Sequence, residues 1–326
     1  MTTTPAPTSA PLALVLGSSR GLGLLIAHEL VGRGHAVVLT SRALSDLEEA
    51  RRQILQVHQG AQVHVREVDV TDREAVGALV EDLEGLVGPI EVLITVAGVI
   101  QVGPAISMTF EHFDRSIDTM LRGPINVTLP VLERMRARRR GRIGTITSVG
   151  GEVTPPHLWP YAVAKAGAVS FSEGLAAELS GTGVTATTVV PGLMRTGSHV
   201  AATFTGQQEK EYAWFAPSAS LPLISMDAER AAGKIVDAVL AGHVRCELTP
   251  VTVLGVRFRG LLPGLTTRMM GVASRLLPSA DGPTEILTGE QARRKLSSPV
   301  VNALTTLGDR AARRNNERRE ERHTAS

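Results

Sequence analysis

The chain has 326 residues, 43% of them hydrophobic, and a formal net charge of +2; it is long enough to bury a large core and too evenly charged to suggest a nucleic-acid partner. Its one cysteine, Cys246, excludes an internal disulfide, and residues 1–10 show no basic, apolar leader, so a cytoplasmic setting is expected. No apolar run reaches the roughly 18 residues that a membrane-spanning helix needs, and none is expected to cross a bilayer.

Residues 1–10 are rich in Thr, Pro and Ala and are expected to be a disordered start. Apolar runs at 12–16, 36–40, 63–68, 92–96, 143–147 and 184–190 then alternate with longer helical patterns at 22–33, 44–59, 73–86, 110–138 and 160–180. The short runs are aliphatic or β-branched and bounded by Gly, Pro or charge, which predicts parallel strands buried on both faces. The longer segments carry the 3.6-residue period with charged outer faces. Strands and helices in this rhythm predict an α/β fold with a Rossmann-type doubly wound parallel sheet. The prediction is one domain over 11–250 with a substrate lid at about 194–225, and a C-terminal extension beyond it.

A doubly wound sheet binds ligands beyond the carboxyl ends of its strands. The first strand runs into Gly17-Ser-Ser-Arg-Gly21-Leu-Gly23 and then a helix, a turn through which backbone amides and a helix N-terminus can approach a phosphate. The second ends in Ser41-Arg42. An acid there would select a free ribose 2′-hydroxyl, whereas Arg42, aided by Arg20, suits a 2′-phosphate, so NADP(H) is preferred over NAD(H). Ser148 closes the fifth strand, and Tyr161-Ala-Val-Ala-Lys165 follows on a helix. Spacing of four places Tyr161 and Lys165 on one face, where an ammonium would lower a phenol's pKa of about 10 and prepare it for proton transfer.

In this order and spacing, the motifs over residues 10–241 resemble the classical short-chain dehydrogenase/reductase family. The resemblance implies that Tyr161 is the general acid or base, that Lys165 lowers its pKa and holds the nicotinamide ribose, and that Ser148 steadies the substrate oxygen. It implies a cofactor site of Gly17, Ser19, Arg20, Gly21, Leu22 and Gly23 at the pyrophosphate and Ser41 and Arg42 at the 2′-phosphate. Asp69 and Val70 would meet the adenine, Ala97 and Gly98 the ribose, and Pro191, Gly192 and Thr196 the carboxamide, with no metal. The function implied is an NADP(H)-dependent oxidoreductase interconverting a carbonyl and a secondary alcohol on a small or lipid-like substrate, acting as a homo-oligomer.

Two positions depart from the family pattern. Thr95-Val96-Ala97-Gly98 stands where the family has Asn-Asn-Ala-Gly, and Met120 stands where it has an asparagine whose carbonyl holds a relay water and whose side chain steadies a local helix distortion. Asn126, six residues on, is expected to face elsewhere. The alternative to an enzyme is a catalytically weakened cofactor-binding or scaffold protein of the same fold. Against the rival reading of a serine hydrolase stands Ile146, which breaks the Gly-x-Ser-x-Gly turn around Ser148. Phe204, Tyr212, Trp214 and Phe215 cluster in the expected lid, opposite Leu158 and Trp159, and would either line an apolar pocket or pack the lid. The extension at 251–308 contains an apolar, arginine-bearing stretch at 251–278 in which Leu265, Met269, Ala273 and Leu276 recur at helical spacing. It could lie on a membrane surface, cover the site's mouth or form a subunit contact. Residues 309–326 mix Arg with Asp and Glu and are expected as a solvated helix or a disordered tail.

Overall fold

The computed structural model describes residues 10–222, 225–279 and 281–317. Seven parallel strands form its centre: β1 Leu12–Leu16, β2 Ala36–Ser41, β3 Val63–Glu67, β4 Ile90–Thr95, β5 Gly141–Ile146, β6 Val184–Val190 and β7 Arg245–Glu247. Their order across the sheet is β7-β6-β5-β4-β1-β2-β3. The register of β1 against β2 and β4 runs Leu12 to Ala36 and Ile90, and Leu16 to Thr40 and Thr95. The chain reverses its direction of travel across the sheet between β1 and β4, which is where a doubly wound fold opens its ligand crevice.

Alternation along β1 explains the two layers. Ala13 and Val15 pack with Leu30, Ile54 and Ile235 on one face, and Leu12, Leu14 and Leu16 pack with Val80, Val131 and Met135 on the other. All five β1 residues are buried, each worth about 1.5–3 kcal/mol for a large aliphatic side chain. Asp72 and Asp227 accept amide hydrogen bonds at the starts of the helices Arg73–Leu86 and Ala228–Leu240, satisfying donors that a helix cannot satisfy itself.

Three features differ from the sequence expectation. The seventh strand, β7, has only three residues, two of them charged, and carries no apolar run. The expected helix at 110–138 is three pieces: Phe110–Ile117, a π-helical turn Asp118–Arg122, and Gly123–Arg138. Pro124 explains the break, since it has no amide to donate to the Met120 carbonyl four residues back; the Gly123 amide instead bonds the Asp118 carbonyl, five residues back. Finally, the supposed tail from 309 is helical within Thr306–Arg314, with Gly308, Asp309, Ala311 and Ala312 buried; residues 318–326 and 1–9 lie outside the described residues.

The extension also builds a second, smaller core. Phe204, Tyr212 and Phe215 pack with Val102 and Ala292, and a three-stranded sheet joins Gln101–Val102, Thr203–Phe204 and Leu287–Thr288. The lid aromatics therefore pack against one another and the extension. Glu211, fully buried, fastens this unit by accepting from Trp214 Nε1 at 2.7 Å and lying 2.8 Å from His157 Nδ1.

Candidate active site

The glycine turn is built around backbone proximity. Gly17 has φ +79°, and a Cβ there would lie 2.6 Å from the Ala97 Cα; a Cβ on Gly23 would run into the Gly17 carbonyl. Ser18 locks the turn to the sheet, its hydroxyl donating to the Val15 carbonyl at 2.8 Å and accepting from the Thr40 amide at 2.9 Å. Ser19 and Leu22 are buried beside it, while Arg20 is exposed. This cradle, at the N-terminus of the helix Gly21–Gly32, has the donors that suit the diphosphate of a dinucleotide.

The remaining predicted cofactor residues fall at the same edge. Ser41 ends β2, its hydroxyl engaged with the Ala43 carbonyl at 3.2 Å, and Arg42 beyond it is exposed. Asp69 is folded onto its own loop, its Oδ1 accepting from the Thr71 amide at 2.9 Å and the Thr71 hydroxyl at 2.8 Å. Val70 is buried, and its carbonyl accepts from Asn126 Nδ2 at 3.0 Å. Asn126 thus ties the helix after the π turn to the loop that follows β3. Ala97 and Gly98 follow β4 and abut Gly17 and Met120 respectively. Pro191 and Gly192 follow β6; the Pro191 carbonyl accepts the Val149 amide at 2.9 Å, and the Thr196 hydroxyl accepts the Ser198 amide at 3.2 Å.

Ser148 leaves β5 two residues after its end and starts the short helix Val149–Val153, its hydroxyl accepting from the Gly150 amide at 2.9 Å. The helix Trp159–Glu178 carries Tyr161 and Lys165 past it. Gly151 permits the crossing, since a Cβ there would lie 2.6 Å from the Lys165 carbonyl carbon. The Tyr161 phenol hydrogen-bonds Ser148. Lys165, only 5% exposed, donates to the Ile146 carbonyl at 2.6 Å. Serine, tyrosine and lysine therefore converge at one strand end from two elements.

Their electrostatics differ from the sequence expectation. Burial pushes the Tyr161 phenol above its ordinary range, and the Ser148 hydrogen bond only partly opposes this. Lys165 does not lower it, because its ammonium is turned onto the Ile146 carbonyl and is itself pulled down to about 8 by burial. The free site holds a protonated phenol, ready to donate.

The π turn brings Met120, 1% exposed, against Gly98: its sulfur lies 3.5 Å from where a Gly98 Cβ would stand. The helix distortion expected to need an asparagine side chain is present without one, and Pro124 is the sequence signal that could have disclosed it. Thr95 shows the other departure: its hydroxyl is buried and has no partner among the described residues, so the polar brace is lost. Because the π turn survives, Met120→Asn should leave turnover unchanged or raise it, as steady-state kinetics can check; a severe loss would misplace this helix.

A family model for short chain dehydrogenases matches residues 11–205. The chain is 37% identical over 183 residues to the 3-oxoacyl-acyl-carrier-protein reductase MabA of Mycobacterium avium, covering 56% of this chain and 67% of that one. It is 30% identical over 188 residues to an SDR family protein 7-like dehydrogenase/reductase of Anopheles gambiae, spanning 57% of this chain but only 59% of the length of that protein. A crystal structure of an actinorhodin polyketide ketoreductase variant with NADPH superposes with a TM-score of 0.65 at 26% identity, over 74% of this chain and 97% of that one. The glycine cradle, the sheet order and the match over 11–205 agree: the chain belongs to the short-chain dehydrogenase/reductase family, oxidoreductases that act on the alcohol–carbonyl couple.

Proposed function

We propose that the protein is an NADP(H)-dependent ketoreductase in which Tyr161 donates the proton. The observation that carries this reading is the meeting of Ser148, Tyr161 and Lys165 at the end of β5, beside the glycine cradle. A bound dinucleotide supplies the hydride. Ser148 holds the carbonyl oxygen of the substrate and directs it toward the Tyr161 hydroxyl, which protonates it as negative charge develops. Lys165 holds the ribose and passes on the replacement proton, and the Met120 carbonyl, deprived of its ordinary helical donor by Pro124, anchors the water beyond it. The phenol, raised by burial, favours the reductive direction. The names of the relatives, a 3-oxoacyl reductase and a polyketide ketoreductase, point to a 3-oxoacyl thioester as the first substrate class to test. An intact Ser148, Tyr161 and Lys165 argue against a scaffold that has lost catalysis.

NADP(H) is preferred because Ser41 ends β2 and Arg42 follows it where an acid would select NAD(H), and both Arg42 and Arg20 are exposed toward solvent. Arg42→Asp should weaken NADPH binding by about tenfold or more while changing NADH binding little, a difference worth the ~1.4 kcal/mol per tenfold of a lost charge-assisted contact. Equal losses for both dinucleotides, measured by fluorescence titration, would remove the 2′-phosphate assignment. A homo-oligomer is proposed through the two long helices, on which Leu129 and Val163 are exposed.

A second reading concerns location. The helices Pro250–Leu261 and Pro263–Ser274 bury only Thr252 and Thr266, while Val251, Leu254, Leu265, Met269 and Val272 are exposed and Leu261 is 80% exposed. Residues 250–276 hold four arginines and no acid. We propose that this face rests on an anionic lipid surface in the interfacial manner of an amphipathic helix; no helix among the described residues is long and apolar enough to cross a membrane. The full chain should float with anionic vesicles and not with neutral ones, and Leu261→Glu with Met269→Glu should abolish flotation. Equal flotation of the double variant would contradict the assignment.

A further inference from the structure

The helix Thr306–Arg314 does not end in solvent. It places Ala312 against Gly197, next to Thr196, and Asp309 is buried between His199 Nε2 at 3.3 Å, Arg293 Nη1 at 3.0 Å and the Thr305 hydroxyl at 3.3 Å. The chain then crosses to the glycine turn. The Asn315 carbonyl accepts from the Gly21 amide at 2.8 Å, Asn316 Nδ2 donates to the Ser19 carbonyl at 2.8 Å, and the Glu317 carboxyl presses against Gly21 with Arg20 nearby. One continuous segment thus covers both the carboxamide-side loop and the pyrophosphate turn of the proposed cofactor site.

We infer that residues 315–317 form a C-terminal strap that occupies the diphosphate position of the dinucleotide site, so that the cofactor binds only by displacing it. This rests on the cofactor reading above and goes beyond it, because it makes the chain its own competitor. The Gly21 amide is a donor at a helix N-terminus, the place where an anion is best held, and the strap has taken it.

The strap is held loosely enough to leave. Both polar atoms of the buried Asn315 side chain and the Glu317 Oε2 have no hydrogen-bond partner among the described residues. Permanent packing seldom leaves three buried polar atoms unsatisfied within three residues. Burial also pushes the Glu317 carboxyl up to about 8 against the pull of Arg20, so it reaches an anion-binding position still carrying its proton. A dinucleotide diphosphate keeps its charge and can use the Gly21 amide and Arg20 together. The strap is therefore a weaker match for the position than the ligand it excludes.

Two variants test this against the full chain. One ends at Arg314 and keeps the packed helix. The other is Asn316→Pro, which leaves charge unchanged but cannot adopt the φ of +57° that the strap needs at this residue. Equilibrium NADPH titration should show both binding about tenfold more tightly than the full chain, as expected if the strap is closed some nine-tenths of the time. Hydrogen exchange should show the Asn315 and Glu317 amides of the full chain, bonded to the Ala311 and Ala312 carbonyls, losing protection when NADPH saturates it. Equal affinities in all three chains, or weaker binding by the variants, would overturn the strap while leaving the cofactor site intact. Unchanged protection in 315–317 under saturating NADPH would overturn it as well. Failure of the chain ending at Arg314 and of Asn316→Pro to bind either NADPH or NADH would overturn both the strap and the cofactor reading beneath it.

Discussion

Tyr161→Phe should cut ketone reduction by about 10²- to 10⁴-fold, the range a positioned proton donor contributes, with dinucleotide affinity changing far less. In the proposed reading the phenol is the proton donor to the substrate oxygen: burial keeps it protonated, and it hydrogen-bonds Ser148. The same site sets a pH dependence. The Lys165 amine is depressed to about 8, so its ammonium is present below that pH and lost above it. kcat/KM, which reports groups of the free enzyme, should therefore fall as pH rises through about 8, and the residual activity of Lys165→Met should lack this limb. A profile flat across that range would show that the charge on Lys165 does not matter to turnover.

Gly23→Ala should be the most damaging small substitution in the glycine turn. Its Cβ would enter the Gly17 carbonyl, and the next neighbours, at 2.9 Å, are the Gly17 carbonyl carbon and the Ser18 Cα, all backbone that cannot swing aside. The turn must shift, at a cost of about 1–3 kcal/mol for overpacking, which lowers Tm by about 5 °C in a domain of this size, and dinucleotide binding should be lost with the cradle. Gly77→Ala is the control. Gly77 lies in the helix Arg73–Leu86 with open space around it, so alanine there should be neutral or stabilising by up to about 1 kcal/mol. Thermal unfolding and NADPH titration of the pair separate a cradle effect from a general intolerance of side chains at glycine.

The sheet and the meeting of Ser148, Tyr161 and Lys165 were legible in the sequence because each rests on a short-range pattern: buried aliphatic runs, a glycine turn between strand and helix, and a spacing of four on a helix. What escaped detection depended on tertiary contacts. β7 is three residues long and carries Arg245 and Glu247, which pair with one another and, through Arg245, with Glu152 and Glu173, so no apolar run marks it. The lid aromatics left pocket and packing undecided, and packing won because the extension supplies Ala292 and Leu287 to cover them. The C-terminal helix looked solvated because Arg310, Arg313 and Arg314 mask a stripe of Gly308, Ala311 and Ala312, residues too small to register as apolar but small enough to let the helix settle on Gly197. The π turn was foreshadowed by Pro124, read only as part of a long helical pattern. Lys165 misled in the opposite sense: spacing put it beside Tyr161, but the chain turned its charge to the Ile146 carbonyl.

The measurement that bears most directly on the proposed chemistry is transfer of deuterium from 4-deuterated NADPH to a panel of 3-oxoacyl thioesters and simple ketones, read by mass spectrometry of the alcohol formed. The account predicts one deuterium on the carbinol carbon of at least one product with the wild-type chain, and little or none with Tyr161→Phe. An alcohol formed at the wild-type rate by Tyr161→Phe, or no alcohol from any substrate by a chain that binds NADPH, would contradict it.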